Sequence, residues 1–168
     1  QSSSDDCVVT KVTGEHMRRK SNDDVLWFKL ADITLNCIPQ NLSYHFKNLD
    51  HLSFHRTGLT KLTKDDFQEY GSQLKKLNFY DNQIEVIPAD LFEYTRNLEE
   101  INFGGNIITH LERGAFQNLT NLKKLTLNHN SCELGHYTES ANADNHADVL
   151  TLISLLENCT DVEELKWD

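Results

Sequence analysis

The sequence predicts an α/β solenoid: a short, curved parallel sheet of about six strands, disulfide-stapled at both ends, with a helix near the C-terminus. Three observations carry that expectation. One apolar pattern recurs five times at steps of 24 or 25 residues; the only two prolines, Pro39 and Pro88, fall at the same place in their units; and all four cysteines lie near the two ends. A fixed period in this range marks stacked repeats, because no single unit buries its own apolar face and stability comes from its neighbours.

The units begin at Val25, Leu49, Leu74, Leu98 and Leu122. The third reads Leu74-Lys-Lys-Leu77-Asn-Phe79-Tyr-Asp-Asn82-Gln-Ile84-Glu-Val-Ile87-Pro88. Its alternation around Leu77 and Phe79 has period two, which puts both on one face of a short strand. Ile101 and Phe103, Leu125 and Leu127, Leu52 and Phe54, and Phe28 and Leu30 repeat it. Asn82, Asn106 and Asn130 stand where the chain must leave the strand. A buried Asn there can bond the free backbone groups of adjacent turns, making a ladder along the stack. The later apolar pair of each unit, with Phe67, Phe92 and Phe116, fills the core from the return side.

An open stack exposes core at both ends and needs caps. Residues 1–24 are expected to form the N-terminal cap, 25–130 the repeats and 131–168 the C-terminal cap of one domain. The run Cys7-Val-Val-Thr-Lys-Val12 alternates as a strand that could pair beside the Val25 strand, stapled by a Cys7–Cys37 bridge. After Asn130 the repeat breaks and residues 131–147 read as loop. Asp144 or Asn145 can then cap a helix whose apolar residues run from Val149 to Leu156. Cys159 ends that helix and is the natural partner of Cys132; Val162-x-x-Leu165-x-Trp167 restarts the strand pattern as a sixth, closing strand.

Over roughly residues 25–130 the pattern resembles the leucine-rich-repeat family, and its 24-residue unit is typical of extracellular members. Units such as Asn97-Leu98-Glu-Glu-Ile101-Asn-Phe103-Gly104 resemble those of small secreted insect proteins, including the leucine-rich immune proteins of flies and mosquitoes. The resemblance implies roles in pathogen sensing or in holding other immune factors. Two features depart from it. Common extracellular C-terminal caps carry four cysteines, and the larger mosquito members pair through a heptad tail that these 168 residues lack.

Composition places the chain outside the cell. No run approaches the ~18 apolar residues of a membrane span, so membrane insertion is not expected. The start at Gln1 reads as a mature form whose leader has been removed. An even number of cysteines, without Cys-x-x-Cys spacing, suggests disulfides and an oxidising compartment. Asn41, Asn118 and Asn158 head N-x-S/T sequons and are candidate glycosylation sites. The net charge of −10 argues against nucleic acid and anionic membranes as partners, and for attraction to a basic one.

With the apolar positions facing the core, the third, fifth and seventh residues of each unit face the concave side. Candidate binding residues there are Trp27, Lys29, His51, His55, Lys76, Asn78, Tyr80, Glu100, Asn102 and Lys124. Trp27, His51, His55 and Tyr80 make an aromatic and imidazole patch, and Gly104 with Gly105 is expected to leave a shallow spot. Lys75-Lys76, Glu99-Glu100, Lys123-Lys124 and Glu163-Glu164 form a ladder of alternating sign across neighbouring strands.

No phosphate loop, nucleophile elbow or acid/base carboxylate pair is present, so no catalytic residue or cofactor is expected. His51 and His55 lie about 13 Å apart on a strand, too far to share a metal ion. The expected function is recognition of a protein through the concave sheet. The alternative is an assembly protein that oligomerises through its C-terminal edge strand.

Overall fold

The computed structural model describes residues 7–11, 13, 19–112, 114–116 and 118–130, with the backbone of 165–166. The expected C-terminal helix, the Cys132–Cys159 bridge and the Asn158 sequon lie outside these residues. Eight strands are described: β1 (Trp27–Ala31), β2 (His51–His55), β3 (Lys76–Asn78), β4 (Val86–Ile87), β5 (Glu100–Asn102), β6 (His110–Leu111), β7 (Lys124–Thr126) and β8 (Leu165–Lys166). The main sheet runs β1-β2-β3-β5-β7-β8, while β4 and β6 pair separately.

From β1 to β7 the main sheet is parallel, and its register steps by one unit per strand: Trp27, His51, Lys76, Glu100 and Lys124 lie side by side. Leu52, Leu77, Ile101 and Leu125 point inward and are buried. Behind them runs a phenylalanine spine. Phe54, Phe79 and Phe103 stack with centroids 5.7 Å apart at both steps. From the return side Phe67 meets Phe79 at 6.0 Å, and Phe92 lies 5.6 Å from Phe116. Truncating a ring of this kind to Ala costs about 3–5 kcal/mol.

The asparagine ladder closes the turns. Asn82 donates to the carbonyls of Phe54 (2.7 Å) and Phe79 (2.9 Å) and accepts from the N–H of Thr57 (3.0 Å). Asn106 donates to Phe79 and Phe103, both at 2.9 Å, and accepts from Ile84. Asn130 repeats the set with Phe103, Leu127 and Ile108. One side chain thus bonds backbone groups of two successive coils, and the Phe79 and Phe103 carbonyls are each shared by two rungs.

Both ends differ from expectation. The N-terminal segment does not lie beside β1. Val8 bridges to Gln40 in parallel, Val9 N–H donates to the Gln40 carbonyl (2.9 Å) and Gln40 N–H to the Cys7 carbonyl (2.7 Å). Cys7 is joined to Cys37 with Cα atoms 6.2 Å apart. Because Cys37 follows the first strand, the staple draws the segment to the return side. At the other end β8 runs antiparallel to β7, pairing Leu125 with Leu165 and Lys124 with Lys166. The repeat stops at Asn130, so nothing imposes another coil of the same hand, and an antiparallel partner pairs with β7 just as well. The sign alternation of the charge ladder therefore ends at β7, where Lys166 rather than Glu164 stands opposite Lys124.

Candidate binding surface

Residues that alternate outward along β1, β2, β3, β5 and β7 line a groove of about 240 Å³ across the concave sheet. Seven of the ten predicted residues border it: Trp27, His51, Lys76, Asn78, Glu100, Asn102 and Lys124. Trp27 is 60% exposed at the edge of the groove formed by β1. Ser53 is buried in the floor, although its position faces outward.

The other three predicted residues sit next to this groove. The Lys29 ammonium lies 5.9 Å from the Trp27 ring centroid, within cation–π range. His55 and Tyr80 meet edge to face at 5.1 Å near the strand ends. Arg56 lies beside them, with Nη1 3.0 Å from His55 Nε2 and a two-point contact to the Asp32 carboxylate. An N–H of Arg56 donates to His55 Nε2 when the imidazole is neutral. Hydrogen bonding to Arg56 holds the exposed Asp32 carboxyl below the usual carboxylate range.

Charges on the sheet are paired across strands. Lys76 Nζ reaches Glu100 Oε1 at 2.5 Å, and Lys123 Nζ reaches Glu99 Oε2 at 2.7 Å. The Lys123 hydrogen bond lowers the Glu99 carboxyl. His51 Nδ1 is hydrogen-bonded to the Asp50 carboxylate.

Asn78 and Asn102 serve the backbone as well as the surface. Asn78 Oδ1 accepts the N–H of Tyr80 and Asn102 Oδ1 that of Gly104, both at 2.9 Å. Each amide therefore turns its NH₂ end outward, because only oxygen can accept from a backbone N–H.

The shallow spot expected at Gly104 is filled. A Cβ there would meet Tyr80 Cδ2 at 3.3 Å and Asn102 Oδ1 at 3.2 Å, and would collide with Asn128 Oδ1. Glycine stands here because its neighbours converge over it, leaving no room for a partner's side chain. Of the sequons, Asn118 is exposed; Asn41 is half-buried and its amide donates to the Val9 carbonyl at 3.0 Å.

Sequence reasoning missed Asp32, Arg56 and Asp50. It also missed that the eighth residue of every unit is left-handed: Asp32, Arg56, Asp81, Gly105 and His129 have φ between 52° and 68°. The N–H groups of the first four bond strand-end carbonyls of the next unit. Gly105 was the one local sign of this column.

Residues 72–131 match the leucine rich repeat family. The fold is a leucine-rich-repeat solenoid. Solved structures agree. A chain in the structure of the Toll–Spätzle complex, a molecular hub in Drosophila development and innate immunity, is 26% identical with a TM-score of 0.59, covering 65% of this chain and 15% of its own length. In the glycosylated form of that complex the values are 29% and 0.52, covering 58% and 13%. A chain of the TLR13–ssRNA13 complex, 21% identical with a TM-score of 0.53 over 64% of this chain and 18% of that one, shares the fold alone. The solenoid thus spans less than a fifth of each of these chains. No curated protein matches it.

Proposed function

We propose that this solenoid is a secreted recognition module that binds a protein on its concave sheet and carries no catalytic chemistry. The observation that carries the reading is the groove crossing five strands, edged by an exposed tryptophan and floored by polar side chains. Large aromatic side chains held on rigid strands are the kind that anchor interfaces. Five strands at ~4.8 Å spacing give a face about 20 Å across, enough for a modest protein contact. The Cys7–Cys37 bridge fits an oxidising, extracellular setting, and likeness to a chain of the Toll–Spätzle complex supports an insect immune or developmental one. Among the described residues no helix is long and apolar enough to cross a membrane. Glycosylation at the exposed Asn118 belongs to the same reading.

Site-specific photo-crosslinking tests it. A crosslinker replacing Trp27 or Tyr80 is expected to trap a defined protein from insect-cell conditioned medium, and one replacing Lys61 on the return side to trap none. Adducts from Lys61 alone would overturn the reading.

A second reading, assembly through the C-terminal edge, draws on β8 being the last strand of the main sheet. Light scattering after size-exclusion chromatography, over a wide concentration range, tests it. A dimer abolished by Trp167→Asp would support assembly, and a monomer throughout would refute it.

A further inference from the structure

The floor of the groove is uncharged, and its hydrogen-bonding side chains come one per strand. Ser53, Asn78 and Asn102 stand side by side on β2, β3 and β5. Asn78 and Asn102 have given their oxygens to the N–H groups of Tyr80 and Gly104, so each holds two N–H donors in a fixed orientation. Among the described residues no partner takes those donors. His51 borders the same groove. Its Nδ1 is bonded to the Asp50 carboxylate, so the neutral ring keeps Nε2 as an acceptor.

The charged side chains along the lining already have partners. Lys76 holds Glu100 at 2.5 Å, Lys124 is itself engaged, and His51 meets Asp50. Apolar surface is confined to one end. Leu52, Leu77 and Ile101 are buried beneath the floor, whereas Trp27 is exposed at the edge. The Lys29 ammonium, 5.9 Å from the Trp27 ring centroid, covers one face of that ring at most.

We propose that the groove binds an uncharged oligosaccharide carried by a glycoprotein partner, its hydroxyls bonded by Asn78, Asn102 and His51 and one sugar ring packed on Trp27. This rests on the recognition reading above and names the part of the partner that enters the groove. A hydroxyl both donates and accepts, which suits amide donors beside an imidazole acceptor. An ionic or apolar peptide side chain finds neither an unpaired charge nor an open pocket on this floor. Successive rings of an extended sugar chain advance by about one strand spacing, ~4.8 Å, so one ring meets one strand. The C–H face of a sugar packs on the electron-rich face of an aromatic ring. Because the backbone already holds Asn78 and Asn102 in place, little side-chain freedom is lost on binding.

Fluorescence anisotropy on the full chain tests the proposal, with labelled mannohexaose, chitohexaose and cellohexaose as probes and hexaglutamate and hexalysine as comparisons. At least one sugar is expected to bind, with an affinity that salt leaves unchanged, and neither charged peptide is. Trp27→Ala, at an exposed site, is expected to weaken the bound sugar about tenfold or more with the melting temperature preserved. Asn102→Asp keeps an oxygen for the Gly104 N–H but removes the outward donors, and is expected to weaken it about tenfold as well. Lys61→Glu on the return side leaves binding unchanged.

No binding of any of the three sugars, undiminished binding by either variant at an unchanged melting temperature, or preference for a charged peptide would each overturn the proposal. A protein crosslinked from the Trp27 position is expected to lose its hold once its glycans are removed enzymatically. One that binds equally well without them overturns the oligosaccharide and leaves the recognition reading standing.

Discussion

The carboxylate of Glu69 caps the helix that begins at Leu42 (α1, Leu42–His45), one repeat away. Its Oε1 accepts the Leu42 N–H at 3.1 Å and its Oε2 the Asn41 N–H at 2.9 Å. Asn41 precedes the helix but makes no cap of its own, being left-handed with its amide turned to Val9. Glu69→Ala is therefore expected to cost about 1–2 kcal/mol, the usual value of a lost cap, and Glu69→Gln less. Urea denaturation of the two variants checks this; equal stability of Glu69→Ala and the parent would show that the cap contributes nothing.

Tyr70 gives an alkaline limit. Burial, followed by the nearby Glu69 charge, raises its phenol well above the ordinary range. A folded-state pKa above the unfolded value of ~10 means the contribution is complete below pH 10 and is lost as pH rises beyond it. The hydroxyl makes no hydrogen bond of good geometry. Tyr70→Phe is thus expected to match or exceed the parent at pH 7, within about 1 kcal/mol, and to lose less stability between pH 9 and 11. Urea midpoints of both proteins across that range decide it; parallel curves would refute the assignment.

Asn106 is the middle rung of the ladder. Asn106→Ala leaves the Ile84 N–H without its partner, while the Phe79 and Phe103 carbonyls each lose one of two donors and keep Asn82 and Asn130 respectively. An unsatisfied buried N–H costs about 1–3 kcal/mol, so a loss of about that size is expected in chemical denaturation. Asn121→Ala, at an exposed position, provides a control expected to stay near the parent.

Gly104→Ala brings a methyl group onto Asn128 Oδ1. A cost of about 1–3 kcal/mol is expected, as for other overpacked sites. Truncating the obstacle in the same chain, as Gly104→Ala with Asn128→Ala, is expected to recover part of it. A double-mutant cycle in urea measures that coupling; strict additivity would mean the two residues do not oppose each other.

Much of the candidate surface was legible. Seven of the ten outward residues border one groove because strand side chains alternate with period two, and a one-residue error would have buried them all. The ladder asparagines were legible for the same reason: a polar residue at one fixed place in successive units has one shared environment. What each outward residue does there was less visible. Asn78 and Asn102 look like ordinary contact residues in sequence, yet both hold the N–H two residues on. Gly104 looked like open space and is closed over by Tyr80 and Asn128.

From the sequence alone came the solenoid itself, its strand register and its inner and outer faces, because unit length and alternation are one-dimensional properties of the chain. Only the tertiary structure decided the placement of Cys7–Val9 beside Gln40, the antiparallel sense of β8, the left-handed column from Asp32 to His129 and the capping of α1 by Glu69. Each of these is set by contacts between residues of different units, or beyond the point where the repeat stops, and no local pattern along the chain encodes where such partners meet.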